Sequence, residues 1–506
     1  MPLLSSHGTD DLPSADPRTK AERGYALYAL FVLTFVYVMN QLDRGVISYI
    51  KVYFQKDLDI TDAQYGLLTG YGFSMFYVML GIPAGQIADK YSRKYLLLGG
   101  LIVWSAAIFL QGFATNFVTF LLTRLMLGIG QAACNPAAFA LLADFFPETA
   151  RPMANSIYNM GVAFGYGLAS GVGGTIGDPD VIGWRWALRV FGLIGGGLAV
   201  LMFFTVMEPP RGRFSKKKKQ AKQVQNVDSK GLLEETGLPE AAPVSYTYGQ
   251  TARFLMSQRS AWLFFVAAGV RSMAGYAFGA FVPSFVQTQF PDHSTLTFWM
   301  YGGITAVGGA VASYMGGYIS RRWSQKTEKA LALVPAYGAL LSCPFVLGII
   351  FCHDIIHNDD AALAFAYGCL LLAYLTAEVW GGPASAYVQS LVVPAMQGKA
   401  IAIYFFVVTI LGAGGPAILG LLLQGDVSAT TKKFMYAAVI VGCYIGCAVL
   451  WIIATAVYKR DLRARKQLDK DGIVPPVSGL CFGLHVLLGL GCVALAITLS
   501  VLTIVL

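Results

Sequence analysis

The sequence predicts an all-α membrane protein, organised as two six-helix bundles with a thirteenth helix at the carboxyl end. Three observations lead to this fold class. The 506 residues are 56% hydrophobic and only 13% charged, whereas soluble globular proteins carry about 25% charged residues. Twelve apolar segments are long enough to span a bilayer, and one long polar loop divides them into six and six.

Each predicted span is a run of about 20 mostly apolar residues, which is the length needed to cross a hydrocarbon core of roughly 30 Å. Backbone polar groups cannot stay unpaired in lipid, and these runs are too long for the strands of a barrel, so all of them are predicted to be helices. The twelve runs begin near Tyr25, Gln64, Tyr95, Phe117, Met153, Trp184, Ala261, Thr297, Ala330, Ala361, Ala400 and Phe434.

Polar segments set the predicted boundaries along the chain. A thirteenth apolar run follows a basic stretch, and its Gly479 and Gly483 have the spacing that packs membrane helices closely. The predicted segments are a cytoplasmic tail at 1–24, a first bundle at 25–207, a basic cytoplasmic loop at 208–260, a second bundle at 261–457, a basic cytoplasmic linker at 458–476 and an additional span at 477–506.

The lysines and arginines predict the orientation of the chain. Of the 37 in the sequence, most lie in the tail and in every second loop, and three lie within spans. Because basic loops stay in the cytoplasm, the amino terminus is predicted to be cytoplasmic. The lysine run at 216–219 is interpreted as a solvated loop that faces anionic lipids, rather than as a nucleic-acid site. The opposite loops hold only Lys51, Lys56, Arg185, Arg189, Lys432 and Lys433.

The loop between the second and third predicted helices carries a recognisable pattern. Gly85, Asp89, Arg93 and Lys94 stand at the spacing Gly-x-x-x-Asp-x-x-x-Arg-Lys, which resembles the signature loop of the major facilitator superfamily. Within that superfamily the chain resembles the Spinster-like group. The matching runs are NQLDR at 40–44, RLMLGIG at 124–130 and AE at 377–378.

This resemblance implies a fold of two related six-helix bundles around a central cavity, and transport of a lysolipid or a sphingolipid phosphate. The chain departs from the group in two motifs. Gln131 stands where many members have a glutamate, and Thr409 to Ala413 replace a His-x-x-Gly-Asp motif. The thirteenth helix is also outside the usual twelve.

Charges at membrane depth mark candidate functional residues, because each is costly unless it is paired or faces a water-filled cavity. Asp43 and Arg44 lie about 18 residues into the first helix, and Arg124 lies about 7 residues into the antiparallel fourth, so that all three fall at a similar depth. A structural ion pair between these helices is the alternative interpretation. Asp43 is the predicted proton carrier, and Arg44 and Arg124 are predicted to bind an anionic substrate.

Three further residues are candidates. Glu378 lies near the middle of the tenth helix and is predicted to take part in proton coupling and in substrate binding. Arg271 in the seventh helix and Gln131 in the fourth are predicted to bind substrate. A packing contact for Glu378 and snorkelling for Arg271 remain the alternatives.

A cytoplasmic gate is implied by the signature loop. In the superfamily this loop holds the two halves together, so Gly85, Asp89, Arg93 and Lys94 are expected to form the gate. Asp144, at the inner end of the fourth helix, is expected to join it.

Covalent chemistry finds no support in the sequence. No phosphate-binding Gly-x-x-x-x-Gly-Lys-Ser/Thr motif is present, which argues against an ATP-driven pump. The five histidines are scattered, and His353 and His357 are interpreted as part of a solvated acidic loop rather than as metal ligands. No catalytic triad is indicated. We therefore predict neither an enzyme nor a cofactor or metal, and no nucleic-acid partner.

Three functions remain open at this stage. The first is a secondary active, proton-coupled carrier of a lysophospholipid or related amphipathic anion, with protons and membrane lipids as its other partners. The second is a proton-linked carrier of a polar organic anion such as a sugar acid. The third is a non-transporting sensor or assembly subunit. The predicted location is the plasma membrane or an endosomal or lysosomal membrane.

Overall fold

The computed structural model describes residues 19–147, 150–211, 213, 246–425 and 427–471. These residues contain helices and no β-strand. Where two helical segments join across one irregular turn they are counted once, except that the π-helical turn after α5 is given separately below. The long helices are α1 Lys20–Ser48, α2 Asp62–Lys90, α3 Arg93–Gln111, α4 Phe117–Phe145, α5 Arg151–Leu168, α6 Trp184–Thr205, α7 Arg259–Gln289, α8 Ser294–Ser324, α9 Ala330–Ile350, α10 Asp359–Leu391, α11 Gln397–Leu422 and α12 Ala429–Asp471.

Ten of these helices are long and apolar enough to cross a membrane. The exceptions are α5 and α8, both of which contain many glycines and pack against each other. Large apolar side chains such as Phe31, Leu193 and Val307 point outward, as lipid contact requires. The chain is thus a multi-pass membrane protein. Twelve spans remain a prediction, and the thirteenth, at 477–506, lies outside the described residues.

The helix packing falls into two groups. In the first group, α3 packs against α4 and α6, and α1 packs against α5. In the second, α7 packs against α11 and α12, and α9 packs against α10 and α12. We call these the first group, α1–α6, and the second group, α7–α12. Two seams join them, α2 with α11 and α5 with α8.

The seams lie towards one end of the molecule. We call the end where α1 begins and α12 ends the terminal face, and the opposite end the distal face. Three hydrogen bonds cross between the groups at the distal face: Tyr65 donates to the Ala280 carbonyl (2.6 Å), Gln287 donates to the Tyr53 hydroxyl (3.0 Å), and Ser170 donates to the Phe298 carbonyl (2.7 Å). The described part of the chain is therefore closed at the distal face.

Glycine permits the close approach of α2 and α11. A Cβ atom on Gly66 would lie 2.3 Å from the Pro416 carbonyl oxygen, and one on Gly70 would lie 2.3 Å from that of Ala413. On the α11 side, a Cβ on Gly420 would lie 2.3 Å from the Asp62 carbonyl oxygen. Backbone therefore meets backbone along this seam, as is common where membrane helices pack closely.

Irregular turns interrupt several helices. The end of α1 is a 3-10 turn at Val46–Ser48, α5 continues as a π-helical turn at Ala169–Gly174, and α10 contains a 3-10 turn at Glu378–Trp380. Such turns free backbone groups from the regular ladder and often accompany functional sites. Two of them adjoin the charged residues described next.

Candidate functional site

Two side chains of α4 hold the backbone of α1. Arg124 donates from Nη1 to the Asp43 carbonyl and from Nη2 to the Arg44 carbonyl, both at 3.4 Å. Further along α4, Gln131 donates from Nε2 to the Asn40 carbonyl at 2.9 Å. Arg124 and Gln131 are both buried. In this conformation they fix the irregular end of α1 rather than line an accessible surface.

The Asp43 carboxyl group lies apart from these bonds. Its side chain is 0% exposed, and neither oxygen accepts a hydrogen bond. Arg124 thus contacts Asp43 through the backbone. In the described residues the negatively charged form of Asp43 has no hydrogen bond to offset the cost of its burial.

Arg44 lies in an aromatic cage, defined by Phe73, Tyr77 and Tyr276. Its guanidinium carbon is 4.5 Å from the ring centre of Phe73, 5.5 Å from that of Tyr77 and 5.6 Å from that of Tyr276. The first two rings belong to α2, whereas Tyr276 comes from the second group. Arg44 is partly exposed, and no carboxylate of the described residues forms an ion pair with it. The cage leaves a cation available to an anionic ligand.

The second group contains its own charged pair. Arg271 donates from Nη2 to Glu378 Oε1 and to the Ala377 carbonyl, each at 2.7 Å. The two acceptors lie at the first residue of the 3-10 turn of α10 and at the residue before it. The guanidinium also lies 4.7 Å from the ring centre of Trp380 and 5.9 Å from that of Tyr444. Glu378 therefore has a specific partner, and the Arg271 charge is compensated at membrane depth.

We expect Glu378→Ala to lower the thermal stability of the protein, because it leaves the buried Arg271 without its partner. Since the Glu378 side chain is 34% exposed, the loss should be about 2 kcal/mol, below the 3–5 kcal/mol of a fully buried pair. Thermal unfolding in detergent measures this effect. The double variant Arg271→Met with Glu378→Ala should recover part of the loss, and a double variant less stable than Glu378→Ala would contradict the pairing.

Tyr166 connects the two charged clusters. Its ring packs on Gly45, where an added Cβ would lie 2.7 Å away. It is close enough to Arg44, Arg124 and Glu378 to interact electrostatically with all three. The charges predicted from the sequence therefore converge on one region between the groups. Within that region the partly exposed side chains are Arg44, Tyr77, Tyr166, Tyr276 and Glu378.

At the terminal face, the residues of the signature loop bind within the first group. Arg93 forms ion pairs with Asp144 and with Glu208, the latter at 3.0 Å. Lys94 donates to the Phe203 carbonyl at 2.7 Å. These contacts tie the start of α3 to α4 and α6. A gate that joins the two groups through Arg93, Lys94 and Asp144 stays a prediction for another conformation.

The other gate residues lie at the end of α2. Asp89 is exposed, and Gly85 has open space where a Cβ would be. Arg211 donates to the Ala88 carbonyl at 3.1 Å and to the carbonyls of Asp89 and Tyr91. A cation thus caps the carboxyl end of α2, where the helix dipole favours positive charge.

Glu208 makes the complementary contact at the start of α3. It accepts hydrogen bonds from the Ser92 hydroxyl, from the Arg93 amide (3.0 Å) and from the Lys94 amide (3.2 Å). Partial burial raises the pKa of the Glu208 carboxyl, but these hydrogen bonds outweigh burial and leave the pKa below its ordinary value. Glu208 therefore holds the loop between α2 and α3 as an anion at neutral pH.

We expect Glu208→Ala to speed hydrogen exchange at the first amides of α3, because it removes the acceptor of the Arg93 and Lys94 amides. The hydrogen bond from the Tyr95 amide to the Ser92 hydroxyl remains. A lost cap costs about 1–2 kcal/mol, which corresponds to about 5- to 30-fold faster exchange. Mass spectrometry of the purified protein measures it. Glu328→Ala, at an exposed site, is the control, and equal exchange in both variants would contradict the cap.

Sequence reasoning did not identify Glu208 or the rings of the aromatic cage. Glu208 lies three residues after the end of α6, where an acidic residue is ordinary. Tyrosine and phenylalanine are equally ordinary inside a membrane helix. The cage can be recognised only when the position of Arg44 relative to α2 and α7 is known, and the sequence does not give that position. In the described residues, no group of three His, Cys, Asp or Glu side chains could hold a metal ion.

Two helical groups around a partly exposed cation, Arg44, are typical of a carrier-like membrane protein. A sequence model described as Major Facilitator Superfamily matches residues 33–416. Protein spinster homolog 3 of Danio rerio is 26% identical over 499 residues, which cover 93% of each chain. The sphingosine-1-phosphate transporter SPNS2 of the same fish is 26% identical over 467 residues, 88% of this chain and 87% of the relative.

A solved structure shows the same fold. The crystal structure of a bacterial homolog to human lysosomal transporter Spinster, in an inward-facing and unoccupied conformation, superposes with a TM-score of 0.68. It is 22% identical and covers 89% of this chain and 99% of its own. The chain belongs to the Major Facilitator Superfamily and is Spinster-like within it. It is a transporter rather than an enzyme, and the resemblance seen in the sequence is confirmed.

Proposed function

We propose that the chain is a proton-coupled, alternating-access transporter of an amphipathic anion of the lysophospholipid or sphingolipid-phosphate type. The observation that carries this proposal is the aromatic cage of Arg44. The cage joins the two groups, and its cation is partly exposed and free of any carboxylate in the described residues. A phosphate headgroup bound there would gain a charge-assisted contact beside rings that suit an apolar chain.

Protons would act through Asp43. This acid is adjacent to Arg44 in the chain, and its burial without hydrogen bonds makes its ionised form costly in this conformation. An anion on Arg44 would add negative charge next to Asp43 and favour the protonated form further. Binding of substrate and of a proton would then be coupled through two neighbouring residues of one helix.

Arg271 and Glu378 would form the second half of the binding site. Glu378 is the more exposed member of the pair and already has a cation bound. Substrate that competes for Arg271 would release Glu378, which makes this acid a second candidate for proton exchange. Arg124 and Gln131 would support the site through the backbone of α1.

Alternating access would close the terminal face through the signature loop. In the described conformation the distal face is closed, while Asp89 is exposed at the terminal face. Reversal of this arrangement would bring Asp89, Arg93 and Lys94 towards the second group. With the basic loops in the cytoplasm, the terminal face would be the cytoplasmic one, in the plasma membrane or an endosomal or lysosomal membrane.

Transport by purified protein in liposomes tests the proposal. Labelled lysophospholipids and sphingosine phosphate would be compared with a sugar acid, each with and without a pH gradient. We expect movement of the lipids only, accelerated by the gradient. Movement of the sugar acid alone would overturn the lipid assignment, and absence of all transport by folded protein would favour a sensor or assembly subunit.

A further inference from the structure

Lys51 is a buried cation near the distal face. It begins the short helix Lys51–Leu58, which connects α1 to α2. The residue is only 6% exposed, and its Nζ lies 2.8 Å from Asp62 Oδ1 at the start of α2. Lysines are almost never buried to this extent without a partner. The burial of Lys51 is therefore not explained by a role in solubility or in setting the orientation of the chain in the membrane.

The rings around Lys51 come from both helical groups. Its Nζ lies 4.7 Å from the ring centre of Tyr65 on α2 and 4.4 Å from that of Phe281 on α7. The two rings meet edge to face at 5.0 Å, and the Tyr65 hydroxyl donates to the Ala280 carbonyl. The ammonium group thus lies across the boundary between the first and second groups.

A second contact of the same short helix crosses that boundary. Tyr53 accepts a hydrogen bond from Gln287 of α7 and donates one to Asp178, at 3.0 Å each. Lys51–Leu58 therefore touches the second group at two points. Any motion that separates α7 from α2 at the distal face must break both contacts.

We propose that Lys51 is a positioning residue that holds the distal face closed, together with Asp62, Tyr65 and Phe281, a set we name the Lys51 latch. Asp62 and Tyr65 keep the ammonium in place on the first group. Phe281 supplies the part of the contact that is lost when the groups separate. The latch rests on the proposed alternating access, since it favours the state whose binding site opens to the terminal face.

The energetic reasoning follows from where each partner lies. In the closed state the ammonium has lost most of its water, and the two ring faces and the Asp62 carboxylate replace that water. Opening removes Phe281 and the Tyr65 to Ala280 hydrogen bond together. A neutral side chain at position 51 would lack the attraction to the Phe281 ring, which is present only in the closed state, so the closed state would lose stability relative to the open one.

Hydrogen exchange of the full-length protein in lipid nanodiscs tests the latch. In Lys51→Met we expect roughly tenfold faster exchange at Asp62–Thr69 and at the distal end of α7. Amides at the terminal ends of the same helices should exchange as in the parent. Lys56→Met, on the exposed side of the same short helix, should match the parent, and Lys51→Arg should restore slow exchange.

Three results would overturn the latch: unchanged exchange in Lys51→Met, an equal rise in Lys56→Met, or a uniform rise along the whole chain. If Lys51→Met does not fold, Phe281→Leu replaces it, because it removes the ring of the second group and leaves the ion pair intact. The readout needs no substrate. Failure of lipid transport would therefore overturn the proposed lipid substrate without contradicting the Lys51 latch. Unchanged hydrogen exchange in Lys51→Met would overturn the latch without contradicting the proposed substrate.

Discussion

Asp43→Asn is expected to abolish accumulation of substrate on a pH gradient while substrate exchange across the membrane continues. Asparagine keeps the shape of the buried side chain but cannot release a proton. With one proton per substrate, a gradient of one pH unit sustains at most about tenfold accumulation. The variant should only equilibrate its substrate. Uptake of a labelled lysolipid into liposomes, with and without the gradient, measures both properties.

Asp59→Asn is the matched control for this experiment. Asp59 is exposed and has a left-handed backbone conformation, with φ of 51°, which asparagine adopts readily. This variant should accumulate substrate as the parent does. If folded Asp43→Asn also accumulated substrate normally, the assignment of the proton to Asp43 would be wrong, and Glu378 would be the next acid to replace.

Arg44→Met is expected to weaken binding of an anionic lysolipid about thirtyfold. The loss corresponds to about 2 kcal/mol, as for a charge-assisted contact left unmade. The apolar part of the ligand should still contact the rings of the aromatic cage. Binding to purified protein would be compared for a lysophosphatidic acid and for a monoacylglycerol of the same chain length, which carries no charge.

The control variant is Arg189→Met. Arg189 also lies over aromatic rings, at 3.8 Å from the ring centre of Phe113 and 4.8 Å from that of Trp186, but it is on α6 and away from the aromatic cage. It should leave both affinities unchanged. An equal loss for the charged and the uncharged lipid in Arg44→Met would contradict a headgroup site at Arg44.

The fold class could be predicted from the sequence because a bilayer imposes a simple rule on length and polarity. About 20 apolar residues are needed for each span, and ten helices among the described residues meet that requirement. The glycine-rich helices α5 and α8 do not meet this requirement of length and apolarity. Their glycines instead allow the two helices to pack closely against each other.

The candidate charges were found for a related reason. Asp43, Arg44 and Arg124 stand out in apolar runs, and counting residues gives their depth. Their directions depend on rotamers and on helix rotation, so sequence alone could not show that Arg124 binds backbone carbonyls. The pairing of Arg271 with Glu378 was equally hidden, because it depends on how α7 packs against α10.

Lys51 and Glu208 escaped prediction because charges at the ends of spans are common. Lys51 belongs to a connecting segment that the sequence places in water, yet tertiary packing buries it. Glu208 becomes special only through the amides that α3 presents to it. Charges of this kind acquire their role from helix packing, which no local pattern encodes.

The seam of α2 and α11 has a consequence for the energy landscape of the carrier. Gly66, Gly70 and Gly420 bring backbone against backbone, so few side chains interlock across it and few rotamers must change when it parts. We infer that rearrangement of side chains contributes little to the barrier for opening this seam. If the two conformers are close in free energy, the modest free energy of one proton or one bound lipid is then enough to choose between them.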